Sequence, residues 1–437
     1  MSTYKQTLDF VYRLEVEQMN LKLERVAEAL RLCGSPQERF PILHVAGTNG
    51  KGSTALFLYA MLSAAGYRVG LFTSPHLIDF CERIRLGQTW ITEQEVIDGV
   101  EMIRALVEPV GVQLTPFEMM TVLALHAFAQ AQVDIAVVEV GLGGRLDATN
   151  VVTPLVSVIT SIGLDHQAYL GSTVPDIARE KGGIIKPSVP VVIGRVTDES
   201  EQVLSSIART CNSTTYMLGR DFAVQEWYDG QVHYHGLHWQ FPRLQLGLRG
   251  RFQCDNVALA LAALEVCLDE VSITEEQARC GIAAARWPGR LDVVSQQPLV
   301  ILDGAHNPQA METLVRELPR LLNGRRAKLL FAAMRDKDWQ TMIASLVPLA
   351  SEVVVTRVQQ SRAENPAAFV EAFRPFCPVQ VIEDAQTACS HLMAGVASDE
   401  AILVTGSLFL VGEVYALFSS TAMVPLALAD CSKGQSA

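Results

Sequence analysis

Gly47-Thr48-Asn49-Gly50-Lys51-Gly52-Ser53 is the segment of this chain best equipped to hold an anion. Its glycines let backbone N–H groups turn toward a phosphate, a helix starting there adds the positive end of its dipole, and Lys51 can reach terminal phosphates. Ser53, or Thr54 beside it, is positioned to touch phosphate or metal. The general pattern G-x-x-x-x-G-K-S/T is not met, because Val45 stands where its first glycine would be and Gly52 separates Lys51 from Ser53. Taken alone, the segment also fits an ordinary glycine turn.

Val137-Val138-Glu139 is an apolar run ending in a carboxylate, the residue type that holds Mg²⁺ beside a triphosphate. A solvated strand-end acid is the alternative. Gly141-Leu142-Gly143-Gly144-Arg145-Leu146-Asp147 follows, and so many glycines ahead of an Arg and an Asp imply a backbone that passes close to a ligand. His166, in Gly163-Leu164-Asp165-His166, follows another apolar run and is read as a metal ligand, against the alternative of a surface histidine. His233, His235 and His238 mimic a metal cluster, but they fall among alternating aromatics with no acidic or thiolate neighbour and are read as structural.

Such groups need a scaffold that ends several strands on one side. Apolar runs at 42–46, 68–72, 135–140, 155–160 and 189–193 alternate with helical patterns such as 53–65, capped by Gly66. That alternation predicts an α/β fold with a parallel sheet covered by helices, in which ligands gather at the carboxyl ends of the strands. From 214 to 251 alternating aromatics around Asp229-Gly230 predict a small β excursion. Trp287-Pro288-Gly289 predicts a boundary, with a domain over 1–290 and a smaller doubly wound one over 291–437. Strands are expected near Leu299, Leu329, Val353, Val379 and Ile402, and a polar tail over 431–437.

A chain of 437 residues with 49% hydrophobic side chains can bury large cores. Its 47 acidic residues against 35 basic ones give a formal charge of −12, which argues against nucleic acid as a partner. Nine scattered cysteines without a C-x-x-C pair read as reduced thiols of a cytoplasmic protein. The opening Met1-Ser2-Thr3-Tyr4-Lys5-Gln6 lacks an apolar stretch behind a basic one, so no secretory signal is expected. Residues 401–429 are apolar enough to imitate a membrane span, yet Thr405-Gly406-Ser407 and Pro425 interrupt them. A buried strand 401–404, a turn and a core-facing helix are expected instead, with no membrane partner.

Together the loop 47–53, Thr73-Ser74-Pro75-His76-Leu77, the run E-V-G-L-G-G-R-L-D-A-T-N over 139–150, Asp165-His166 and Asp303-Gly304-Ala305-His306-Asn307-Pro308 resemble the folylpolyglutamate synthase family of the Mur ligase superfamily. The motifs run in family order from about Leu23 to the last helix. The resemblance implies an N-terminal P-loop-type ATPase domain and a C-terminal Rossmann-like domain. It implies an ATP-dependent, Mg²⁺-requiring reaction in which a pterin carboxylate takes the γ-phosphoryl group and the amine of L-glutamate attacks the acyl phosphate. Bacterial members often accept both dihydropteroate and reduced folates, and relatives imply a monomer. Position by position, Asn49, Gly50, Lys51, Gly52 and Ser53 would cradle ATP, and Ser74, Glu139 and His166 would hold Mg²⁺. Lys181 matches a lysine carbamylated in relatives and, with Lys51 and His166, is expected in the catalytic set. Asn256, Arg290 and Asp303 match nucleotide contacts. Leu23, Glu24 and Arg25, Thr115, Pro116, Phe117 and Glu118, and Leu146, Asp147 and Ala148 match pterin-binding segments. His306 and Asn307 are expected to shape the turn after Asp303.

Other classes are less well supported. A phosphate-loop kinase would need a second-substrate motif, and a GTPase an N-K-x-D signature that the chain lacks. A folylpolyglutamate synthase without the dihydropteroate activity, a peptidoglycan-building sister ligase and a non-enzymatic nucleotide-binding module remain the alternatives.

Overall fold

The computed structural model describes residues 3–14, 23–226 and 231–418. The hairpin turn expected at Asp229-Gly230, the break at Pro425 and the tail 431–437 lie outside them. The described residues form two compact units, one of those up to Gly247 with Gln253–Ala285, the other of Leu248–Phe252 with residues 286–418.

The first unit is built on an eight-stranded sheet: β1 Ile42–Ala46, β2 Val69–Phe72, β3 Ile84–Leu86, β4 Thr89–Trp90, β5 Ile135–Glu139, β6 Val156–Ile159, β7 Val191–Ile193 and β8 Thr215–Met217. Its order is β4-β3-β2-β5-β1-β6-β7-β8. All pairs from β2 to β8 are parallel, while β3 and β4 add an antiparallel edge. Strand β1 is central and buried at every residue between β5 and β6, in keeping with a run that is apolar except at His44. In register, Val45 stands beside Glu139 and Ala46 beside Ile159, so three consecutive strand ends reach one edge together.

Helix Lys51–Ala64 follows β1 directly; its residues 53–63 are all buried, so it lacks the polar face of a surface helix. A small antiparallel sheet of β9 Ala223–Glu226, β10 Val232–His235 and β11 Gln240–Leu244 is the expected β excursion. Glu265, on helix Phe252–Val266, anchors it by accepting the Tyr234 hydroxyl and the backbone amides of His238 and Trp239. The expectation that the histidines there have no acidic neighbour is thereby corrected, because the carboxylate comes from a helix distant in sequence.

The second unit holds a six-stranded sheet of β12 Asp292–Gln296, β13 Leu299–Leu302, β14 Arg326–Phe331, β15 Ala350–Val355, β16 Val379–Val381 and β17 Glu400–Thr405, in the order β12-β13-β17-β14-β15-β16. The five expected strands pair in parallel, and β12 adds an antiparallel edge. After β17 the chain turns at Gly406 into helix Leu408–Tyr415, and no described helix is long and apolar enough to cross a membrane. Cys33, Cys81, Cys211, Cys254, Cys267, Cys377 and Cys389 are free thiols. Cys280 is disulfide-bonded, against the expectation of nine reduced thiols, and Cys431 lies outside the described residues.

Candidate active site

The loop after β1 takes its shape from two glycines. Gly47 and Gly50 have φ of 150° and 88°, and a Cβ added at either would collide, with Thr160 Oγ1 at the first and Asn256 Oδ1 at the second. The end of β6 buttresses the loop. Thr160 Oγ1 and Ser161 Oγ donate to the Asn49 carbonyl at 2.7 and 3.0 Å, and the Thr48 amide donates to the Ser161 carbonyl at 2.8 Å. The Thr48 hydroxyl exchanges hydrogen bonds with the backbone of Gly163. Sequence reasoning missed Thr160 and Ser161, whose signal was a polar pair directly after an apolar run.

Two lysines converge on this loop. Lys51 Nζ donates to the carbonyls of Gly47 and Thr48 at 3.1 and 3.2 Å, and Lys181 Nζ, from helix Val174–Gly182, donates to the Gly47 carbonyl at 2.9 Å. Lys181 is only 4% exposed. Burial and the Lys51 charge bring its ammonium down to about 7 from the ordinary 10.5, against an opposing pull from Asp165 and Asp147.

Glu139 ends β5 beside the loop, buried, and accepts the Ser74 amide at 3.2 Å. The structure thus joins two of the residues expected at a metal. His166 lies after β6 with φ of 51°, its amide bonded to Asp165 Oδ1 at 2.8 Å and its side chain partly exposed. Among the described residues no cluster of three or more His, Cys, Asp or Glu side chains is arranged to hold a metal ion. Arg83 was also missed: it is buried, which lowers its pKa against the pull of the Glu139 carboxylate, and it donates from Nε to His76 Nδ1 at 2.8 Å.

Two of the three expected pterin-binding segments are joined by an ion pair. Leu23 precedes helix Glu24–Leu32, from which Arg25 Nη2 bonds Glu118 Oε1 at 2.8 Å. Thr115 and Glu118 cap helix Pro116–Gln130 reciprocally, and Pro116 occupies its first turn, where a missing N–H costs nothing. Phe117 stacks near Phe72, with ring centroids 5.9 Å apart, and lies so close to Gly141 that a Cβ there would enter its ring. Leu146 is half-buried, while Asp147 and Ala148 are buried.

Asn256, on helix Phe252–Val266, gives Nδ2 to Gln253 Oε1 at 2.8 Å, and Gln253 in turn reaches Ser53 Oγ at 3.4 Å. In the second unit Asp303 is buried and accepts the amides of Leu291 and Ala305 at 2.7 and 2.8 Å; burial raises its pKa and Arg290 opposes this. His306 Nδ1 bonds the Gly304 carbonyl at 2.8 Å, and Asn307 caps helix Pro308–Leu322.

A parallel sheet whose central strand feeds a glycine–lysine loop, followed by a second α/β unit, is the architecture of the Mur ligases. The Mur ligase middle domain matches residues 45–264 and the Mur ligase glutamate ligase domain residues 289–408. Folylpolyglutamate synthase of Lacticaseibacillus casei is 35% identical over 89% of this chain and 92% of its own length. Dihydrofolate synthase/folylpolyglutamate synthase of Bacillus subtilis is 35% identical over 90% of this chain and 94% of its own. Among solved structures, E. coli FolC in complex with DHPP and ADP matches with a TM-score of 0.89 at 32% identity, over 95% of this chain and 97% of that one. The chain belongs to the Mur ligase family, in its folylpolyglutamate synthase branch.

Proposed function

We propose that this chain is a bifunctional dihydrofolate synthase and folylpolyglutamate synthase, an ATP-dependent ligase that joins L-glutamate first to dihydropteroate and then to reduced folates. The observation that carries the reading is the convergence of Lys51 and Lys181 on the Gly47 carbonyl beside the buried Glu139, in a chain that shares 35% identity with a bifunctional relative along nearly its whole length.

In this reading residues 49–53 and Asn256 hold ATP within the first unit, while Arg290 and Asp303 are matched to nucleotide contacts by the resemblance alone. Lys51 neutralises phosphate charge as the acceptor carboxylate oxygen attacks the γ-phosphorus and ADP leaves. The glutamate amine then attacks the acyl carbon, inorganic phosphate departs, and no side chain is consumed. Ser74, Glu139 and His166 would hold Mg²⁺, whose chemistry is to screen the triphosphate; a hydroxyl and a buried carboxylate are the hard oxygen donors it prefers. Lys181, with a pKa near neutrality, is open to carbamylation, in which its neutral amine adds CO₂ and releases a proton. The resulting carbamate would face Lys51. Residues 23–25, 115–118 and 146–148 form the acceptor site. Cytoplasmic residence rests on the seven free thiols, with the disulfide-bonded Cys280 standing against it, and a monomeric state rests on the resemblance alone.

ADP release measured with dihydropteroate, tetrahydrofolate, a muramyl nucleotide or no acceptor, each with and without L-glutamate, tests the assignment. Glutamate-dependent turnover with both pterins supports it. Turnover with tetrahydrofolate alone reduces it to a folylpolyglutamate synthase, the activity named for the L. casei relative, and turnover with the muramyl nucleotide refutes it.

A further inference from the structure

Beneath the segment 141–150 lies a polar chain that neither the phosphate loop nor the expected metal site uses. Asp147 is buried, and its carboxylate is turned inward onto its own loop. Oδ2 accepts the Leu142 amide at 2.8 Å, while Oδ1 accepts both the amide and the hydroxyl of Thr149. The Thr149 hydroxyl has a single proton and gives it to Asp147, so the 2.9 Å contact between Thr149 Oγ1 and His44 Nε2 has the imidazole as donor. His44 and Thr149 are wholly inaccessible to solvent. Burial, assisted by the Lys186 charge, keeps His44 neutral, and the tautomer is therefore fixed with Nδ1 bare. Lys186 itself donates to the Asn150 carbonyl at 2.7 Å.

The segment steered by this chain touches much of the site. Its first residue, Gly141, is pressed against Phe117. Further along, the Arg145 amide donates to the Glu180 carbonyl at 2.7 Å, and Gly144 packs so closely on the backbone of Glu180 and Lys181 that a side chain there has no room. Asn150 Nδ2 closes the far end by donating to the carbonyls of Arg145 and Gly183, both at 3.0 Å. Both oxygens of the Asp147 carboxylate are engaged by donors of its own loop. What it fixes is the path of the backbone from Leu142 to Thr149.

We propose that His44 and Thr149 are positioning residues for the acceptor: the relay from His44 Nε2 through the Thr149 hydroxyl to Asp147 sets the course of residues 142–149, and with it the surface that a pteroyl acceptor meets. The inference rests on the reading that residues 146–148 belong to the acceptor site. Breaking the relay should weaken the acceptor and spare the nucleotide, whereas a purely structural core would lower stability without choosing between ligands.

Thr149→Val keeps the shape, removes the hydroxyl and strands both the His44 N–H and one lobe of the Asp147 carboxylate. Dihydropteroate affinity, read by calorimetry on the full chain, should fall about tenfold, equivalent to about 1.4 kcal/mol, with ADP affinity changed less than about twofold. Thr149→Ser, which restores the hydroxyl, should recover most of the loss. Backbone hydrogen exchange read in parallel without ligand should show the Leu142 amide exchanging faster in Thr149→Val than in the parent. Unchanged dihydropteroate affinity in Thr149→Val, or an equal loss in Thr149→Ser, overturns the proposal. If the parent protein binds no pterin at all, the functional reading of the site fails separately. The relay is then judged on exchange, where an unaltered Leu142 amide refutes it and faster exchange leaves it as the device that sets this loop. Should Thr149→Val not fold, Thr149→Ala is read in the same way.

Discussion

Replacing Lys181 by Met tests whether the lysine is held against its own charge. Met keeps the length and apolar stem but removes the ammonium and its bond to the Gly47 carbonyl. The fall of the Lys181 pKa from 10.5 to about 7 means that burying the protonated form costs about 5 kcal/mol, at 1.36 kcal/mol per pH unit. Losing the hydrogen bond works in the opposite direction by about 1 kcal/mol. Below pH 7 both folded and unfolded chains carry the proton, so the parent bears the whole penalty, and Lys181→Met should be more stable by about 3–4 kcal/mol, the difference of those two figures. Between about pH 7 and 10.5 the unfolded chain binds more protons than the folded one, and parent stability should rise with pH relative to the variant. Above that window only the lost hydrogen bond remains and the order should reverse. Urea unfolding of both proteins in CO₂-depleted buffer at pH 6, 8 and 10 measures this. A stability difference that does not vary with pH would refute the reasoning, because it would mean that Lys181 titrates alike in both states.

Lys51→Ala should lower the rate of ADP release by about 10²–10³-fold while leaving the melting temperature close to that of the parent, since Nζ bonds only carbonyls of its own loop; near-normal release would sink the phosphate-loop assignment. Glu139→Gln keeps the shape of a buried side chain and removes its charge, so half-maximal turnover should need about tenfold more Mg²⁺, and an unchanged titration curve would leave Glu139 structural. Glu265→Leu strands the Tyr234 hydroxyl and two backbone amides in a buried setting, and a loss of about 3 kcal/mol in unfolding free energy is expected.

The central parallel strands were legible because each is a mostly apolar run followed within a few residues by a glycine, and β1, β5 and β6 fall where 42–46, 135–140 and 155–160 were expected. Strands β3 and β4, of three and two residues, gave no such run, and β12 is an edge strand whose residues are only half-buried. Within the site, Lys51 and Glu139 could be named because glycine spacing and strand ends mark them locally. Thr160, Ser161, Arg83 and the His44–Thr149 pair could not, since each matters through a partner more than a hundred residues away or through burial that no local pattern announces. Asp147 shows a part of the site that its motif could not announce. The motif marked it for the acceptor site, and its carboxylate is engaged by Leu142 and Thr149.

The buttress behind the phosphate loop also constrains the order in which the protein can become competent during synthesis. Asn49 and Thr48 are secured by groups 111 to 115 residues downstream, and Gly47 by a lysine 134 residues downstream. The ribosome must therefore deliver the chain through β6 and on to the lysine-bearing helix before the loop has all the partners that hold it. Because contacts this distant in sequence close late and at an entropic cost, nascent chains released before that point would carry the whole glycine-rich loop without the groups that hold its shape.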